Sequence, residues 1–257
     1  MKNAKYGTLL VTAFLAAGCV TESTGVLIPE PASNAEQAEV NLALGVSYIQ
    51  QQRPDLAIDP LRRAIEVDPR SADAHSVLAL AYDQQGSTEL AEEHHRRASQ
   101  LAPRNAVIQN SYAVFLCIRN RWADAEPSFQ RAIDATTREE SVETILNAAR
   151  CARGAADLVA AERYFREALT IAPRNVEALR GMVDMSIRSS NFLAGRGFWQ
   201  RLEQANPVSP EDLLACVVIE QQLNASDAAD ACATRLQREY PSSPAVNQLR
   251  DIVRDGI

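Results

Sequence analysis

The chain has 257 residues, enough for one or two domains, and 46% of them are apolar against 23% charged, the profile of a soluble globular protein. A formal charge of −7 disfavours a nucleic-acid binder with a broad basic field. Aromatic residues at 5% and only ten glycines argue against an all-β chain built on many tight turns. Five cysteines are present, and both lysines, Lys2 and Lys5, fall within the first five residues.

The lysines lead into Tyr6 to Ala17, an uncharged and mostly apolar stretch. It is too short for a transmembrane helix, which needs about twenty residues, and it reads as an export signal. It ends in Leu15-Ala16-Ala17-Gly18-Cys19, which resembles the bacterial lipobox. That resemblance implies removal of residues 1–18 and lipidation of Cys19, with anchoring by several acyl chains. A plain secretory signal with an incidental cysteine is the other reading. Val20, rather than an aspartate, follows the cysteine, which resembles the outer-membrane sorting class. The expected address is the periplasmic face of the outer membrane, an oxidising compartment. The mature chain would carry 24 basic against 33 acidic side chains, a net −9. Residues 19–37 are rich in Ser, Thr, Pro and Glu with no helical or strand period, so they are expected to be a lipidated flexible tether, with an r.m.s. reach of roughly 25 Å.

Prolines then recur at Pro69, Pro103, Pro173, Pro207 and Pro241. A 34-residue period fits all of them if two residues are inserted around Thr136–Glu140. With each proline at slot 32, units start at Ala38, Ala72, Ala106, Val142, Val176 and Pro210. Slot 20 is then Ala57, Ala91, Ala125, Ala161, Gly195 and Ala229, and slot 8 is Gly45, Ala79, Ala113, Ala149, Val183 and Val217. Slot 24 is Leu61, His95, Phe129, Phe165, Trp199 and Ala233. Small residues at slots 8 and 20 let two antiparallel helices approach closely, the large slot-24 residue fills the space beside them, and the slot-32 proline ends each unit. These residues resemble the tetratricopeptide pattern. The fold class implied is all-α, a superhelix of six helix-turn-helix repeats (38–71, 72–105, 106–141, 142–175, 176–209, 210–243) with a capping helix over 244–257. Pro60 and Pro127 fall inside second helices, where a kink is expected.

No catalytic constellation is evident. His75 and His95 fall on packing slots, and adjacent His94 and His95 point to different faces of one helix, so core and surface roles outweigh metal binding. No Gly-rich phosphate loop and no metal-type CxxC pair occurs. The reading is a protein-binding scaffold with no cofactor, no metal, no small-molecule substrate and no nucleic acid.

With Cys19 assigned to lipid, four cysteines remain. Cys216 and Cys232 occupy slots 7 and 23 of repeat 6, on facing antiparallel helices. Cys117 and Cys151 lie on neighbouring first helices, beside the insertion. Two bridges in these pairs are geometrically reasonable in an oxidising compartment, and each would stabilise by a few kcal/mol. Four buried free thiols are the alternative.

First helices of such solenoids line the concave face, which exposes slots 2, 5, 9, 12 and 13. Repeat 1 puts Leu42, Val46 and Ile49 there, repeat 3 Val107, Asn110, Val114 and Ile118, and repeat 4 Leu146, Arg150 and Arg153. An apolar stripe on that surface points to a groove for a partner's helix or strand, or to one covered by Val26, Leu27 and Ile28 of the tether. With no lysine after Lys5, capture of a peptide carboxylate would rely on arginine.

A lipobox, a short tether and six repeats together resemble the type IV pilus biogenesis and stability lipoproteins, the PilW/PilF family. Asn110-Ser111-Tyr112-Ala113-Val114-Phe115-Leu116-Cys117 is similar to that family's Asn-Tyr-Gly-Phe-Leu-type segment, with Ala113 where glycine is usual. Pro210-Glu211-Asp212-Leu213-Leu214 and Arg238-Glu239-Tyr240-Pro241 resemble its last repeat. Some members carry cysteines resembling Cys117 and Cys151. The resemblance implies a pilotin, a lipoprotein that binds pilus secretin subunits and helps them insert and multimerise, touching the membrane only through its lipid. A repeat scaffold of another envelope assembly, such as a tight-adherence pilus or a cell-wall enzyme complex, is the alternative.

Overall fold

The computed structural model describes residues 33–205 and 208–255. The signal, Cys19 and most of the tether, Val26 to Ile28 included, lie outside the described residues, as does Pro207. Among the described residues thirteen helices run in chain order: α1 (Asn34–Gln50), α2 (Pro54–Val67), α3 (Ala72–Gln84), α4 (Thr88–Leu101), α5 (Ala106–Ile118), α6 (Trp122–Asp134), α7 (Val142–Gly154), α8 (Leu158–Ile171), α9 (Val176–Arg188), α10 (Phe192–Ala205), α11 (Pro210–Gln222), α12 (Ser226–Glu239) and α13 (Pro244–Asp255). There are six antiparallel pairs and a C-terminal helix, the all-α superhelix that the 34-residue period implies.

One turn joins the two helices of every pair. Slot 15 is left-handed in all six: Gln52, Asn120, Ala156, Ser190 and Asn224 have φ of 56 to 61°, and Gly86 has 79°. The next N–H always reaches back five residues: Arg53 to Tyr48 O, Ser87 to Tyr82 O, Arg121 to Leu116 O, Asp157 to Ala152 O, Asn191 to Ser186 O and Ala225 to Glu220 O. This is a Schellman closure, which satisfies carbonyls that the helix end leaves unpaired. Between pairs, Ser or Asn starts the next first helix. Ser71, Asn105, Asn175 and Ser209 each accept from a backbone N–H in the first turn, which suits their short polar side chains.

The slot residues form the core. Ala57, Ala91, Ala125 and Ala161 are fully buried, as are Ala79, Ala113 and Ala149. Gly45 and Gly195 are buried too; a Cβ on Gly45 would lie 2.4 Å from the Leu61 side chain, so only hydrogen fits there. Phe129 and Phe165 are 0% and 1% exposed. Successive first helices touch (α1 with α3, α3 with α5, α5 with α7, α9 with α11), and no comparably close approach joins successive second helices. The stack therefore curves with first helices inside. α7 and α9 make the least close approach of the inner series.

Three local expectations meet differences. The tether does not extend to residue 37, because Ser33 and Glu36 form a reciprocal capping box that starts α1 at Asn34, four residues before Ala38. α2 and α6 run unbroken through Pro60 and Pro127; proline's fixed φ is helical, and the neighbouring buried residues Ala57, Leu61 and Ala64, and Ala125, Phe129 and Ala132, hold each helix in register. The two-residue insertion is absorbed between α6 and α7, where Thr136 and Thr137 hydroxyls donate to Glu140 and the Ser141 hydroxyl donates to Arg138 O.

Candidate docking surface

The inner face divides along its length. In the N-terminal half it exposes apolar side chains among a few acidic ones: Val107 and Ile118 are 77% and 70% exposed and Leu80 37%, with Val46 and Val114 half-buried, alongside exposed Glu39 and Asp73 and an Asp83 paired with Arg119. Leu42 and Ile49 are half-buried against a small cluster of Ala57, Leu61, Leu78 and Ala81, so they present an edge rather than a full side chain. An open cleft of about 580 Å³ adjoins Leu42, lined also by Glu36, Glu39, Val67 and Asp68. Asn110 accepts from the Asn147 amide at 3.2 Å.

From repeat 4 onward the face is charged and internally paired. Arg150 donates to Glu143 (3.0 Å) and to Glu177, and Arg153 lies 3.8 Å from Asp184. Both arginines span the wide step between α7 and α9, so they are occupied in holding the stack and are not poised for a peptide carboxylate. Leu146 is also not on the surface. It is 2% exposed within the core, on an α7 drawn against α5 by the Asn147–Asn110 bond and by the Cys117–Cys151 disulfide, whose Cα atoms are 5.6 Å apart. Further along, Arg180 grips the buried Asp212 with three hydrogen bonds of 2.7 to 3.1 Å, and Arg196 pairs with buried Glu220.

The second disulfide, Cys216–Cys232, joins α11 to α12 with Cα atoms 6.2 Å apart. Leu80 joins this face from slot 9 of repeat 2, the slot that Val46 and Val114 hold in repeats 1 and 3. That register was the signal for it.

The histidines are packed inside repeat 2. His75, 7% exposed, meets His94 through their Nδ1 atoms at 2.8 Å, and its Nε2 lies 3.3 Å from Pro69 O. His95 turns the other way, its ring 4.8 Å from that of Phe115 and 6.0 Å from that of Tyr112. Among the described residues no group of three or more His, Cys, Asp or Glu side chains converges to hold a metal. Burial lowers the pKa of His75 and His94 and pushes His95 down to about 4.

That depression has a sign. Above pH 6.5, His95 is neutral in folded and unfolded chains alike. As pH falls from about 6.5 to 4 the unfolded chain binds the proton first, so stability is lost across that window, by about 3 kcal/mol from this residue. His95→Phe, which copies Phe129 and Phe165 at slot 24, should flatten the pH dependence of the denaturant midpoint between pH 7 and 4. An unchanged slope would mean that His95 is not held neutral.

A model of the tetratricopeptide repeat matches residues 42–106 and 119–176. The type IV pilus assembly protein PilF of Pseudomonas aeruginosa is 26% identical over 226 residues, covering 88% of this chain and 90% of PilF. The chain carries tetratricopeptide repeats and is homologous to PilF. The solved structure of Pseudomonas aeruginosa PilF superposes on it with a TM-score of 0.67 at 25% identity, over 85% of this chain and 98% of that one. The structure of PilW, described as a widely conserved type IV pilus biogenesis factor, gives a TM-score of 0.64 at 23% identity, over 82% and 97% of the two chains, a likeness of fold. An uncharacterized protein of Haemophilus influenzae is 30% identical over 142 residues, 55% of this chain and 76% of its own length. In this tetratricopeptide-repeat chain the inner face is the surface that the architecture leaves open to a protein partner.

Proposed function

We propose that this chain is a non-catalytic outer-membrane lipoprotein of type IV pilus biogenesis, a pilotin that binds pilus secretin subunits and promotes their localisation and multimerisation. Homology to PilF over most of both chains supports the pilus context. The observation that carries the binding role is the apolar inner face of repeats 1 to 3, where Val107 and Ile118 stand 77% and 70% exposed. Apolar side chains so placed gain free energy only when a partner covers them. Lipidation at Cys19 would hold this face near the membrane where the secretin inserts.

The test is the secretin's own state. In a strain lacking the gene, secretin run unboiled on a gel should shift from heat-stable multimer to monomer; normal multimers at the outer membrane would refute the pilotin role. Val107→Glu with Ile118→Glu should abolish secretin capture with unchanged helical circular dichroism, because both side chains already face solvent. Undiminished capture would move the binding site off this face.

A further inference from the structure

Buried polar side chains gather at the junction of repeats 2 and 3, on slots that other repeats fill with leucine or isoleucine. Slot 4 is Ile145, Leu179 and Leu213 in repeats 4 to 6, all 0% exposed, and in repeat 3 it is Gln109, also 0% exposed. Slot 28 is Ile65, Ile133 and Leu169 in repeats 1, 3 and 4, and in repeat 2 it is Ser99, which is buried. Buried polar groups cost stability unless they are bonded, and a departure from the local pattern that is fully bonded marks a place where function outweighs packing.

The bonds of this cluster lead outward to one arginine. The Gln109 amide donates to Ser99 O at 2.9 Å and Ala102 O at 3.2 Å, and the Ser99 hydroxyl donates to Gln109 Oε1 at 3.0 Å. Arg131 Nε donates to the same Oε1 at 2.9 Å, and its Nη2 donates to the buried Ser128 hydroxyl at 2.7 Å. A guanidinium has five N–H donors. Two are used here on neutral oxygens, which fix its plane and leave the Nη1 end open. Among the described residues no carboxylate lies within ion-pair distance of Arg131. Arginines elsewhere in the stack end on carboxylates, as Arg121 does on Glu92 and Asp124, and Arg180 on Asp212.

Arg131 borders an open cleft of about 630 Å³ whose other walls are Pro103, Arg104, Asp134 and Ala135. These residues come from the second helix α6 and from the turns after α4 and α6, and none comes from an inner helix. Arg104 is exposed and, among the described residues, has no side-chain hydrogen bond and no ion pair. Asp134 accepts from the Gln130 amide at 2.9 Å and from neither arginine. Two guanidiniums against one carboxylate leave the cleft a single positive charge in excess, which one further carboxylate neutralises and a phosphate dianion overshoots.

We propose that this cleft is a docking site for an acidic side chain of a partner protein, an aspartate or glutamate carboxylate held by Arg131 and Arg104. Arg131 presents a fork fixed in advance, the geometry that suits a planar ligand with two oxygens, and Arg104 supplies the second charge from the turn before α5. An anionic lipid surface is the wrong occupant, because a sheet of headgroups would meet the Asp134 wall as well as the arginines. The cleft shares no residue with the inner face of the pilotin proposal and stands without it.

The probe is N-acetylglutamate amide, titrated into the full chain while the Arg131 Nε–H resonance is followed by NMR and identified by its loss in Arg131→Lys. A saturable shift is expected, with none from N-acetylglutamine amide. Arg104→Gln should raise the half-saturating concentration about threefold or more, and since Arg104 has no partner to lose, this variant should melt like the parent. Arg62→Gln with Arg63→Gln, two exposed arginines of repeat 1, should leave the titration unchanged. No saturable shift, a shift indifferent to Arg104→Gln, or an equal loss from the Arg62 and Arg63 changes overturns the proposal. So does saturation by inorganic phosphate at lower concentration, or a shift produced by phosphatidylglycerol vesicles and not by the glutamate probe. A resonance that moves without ligand on Glu22→Gln with Glu30→Gln also overturns it, by giving the cleft to the chain's own upstream segment.

Discussion

Reducing both disulfides is expected to remove about half or more of the stability of this stack. Cys117–Cys151 joins residues 34 apart and Cys216–Cys232 residues 16 apart. Chain-entropy accounting assigns about 4 and about 3 kcal/mol to loops of those lengths, against a total that for most domains is about 5–15 kcal/mol. The first bridge has a second effect, because it pins α5 to α7 where the two-residue insertion around Thr136–Glu140 breaks the 34-residue register. Guanidinium unfolding with and without reductant measures the sum. Cys117→Ser with Cys151→Ser, unfolded under oxidising conditions, isolates the inter-repeat bridge and should lower the midpoint more than Cys216→Ser with Cys232→Ser. Equal midpoints with and without reductant would show that the thiols are not paired in the folded protein.

Phe165→Ala should be nearly as damaging, at about 3–5 kcal/mol, the usual cost of emptying a buried aromatic site. Phe165 is 1% exposed, and its partner is an absence: a Cβ on Gly181 would lie 2.5 Å from the ring. The ring of α8 thus lies directly on the backbone of α9, and it helps carry the junction between repeats 4 and 5, where the inner helices stand furthest apart. Gly181→Ala should cost about 1–3 kcal/mol by overpacking. Combined with Phe165→Leu it should cost less than the two single changes summed, since the smaller side chain vacates the space that the new methyl needs. Strict additivity in that double-mutant cycle would mean that the two positions do not share this contact.

The fold was legible because the features that make it recur. A proline every 34 residues, small residues at slots 8 and 20 and a large one at slot 24 are local facts, and they are the residues that bring two helices together. The inner face was read less well. Slot 5 holds Leu42 and Leu146 alike, yet one lines a cleft and the other is sealed in the core, because exposure there depends on how closely two repeats approach. Arg150 and Arg153 look free in one dimension. Their partners Glu177 and Asp184 lie 27 and 31 residues onward, on a helix whose distance no local pattern states.

The turn at slot 15 sets the angle within every repeat through main-chain hydrogen bonds alone. The residue standing there is therefore unread by either helix, and the chain has placed Gln, Gly, Asn, Ala, Ser and Asn at it. Glycine holds that conformation without strain, whereas Gln52, Ala156 and Ser190 each keep it at about 1 kcal/mol. The superhelix thus keeps a reserve of unclaimed stability at positions outside its inner face.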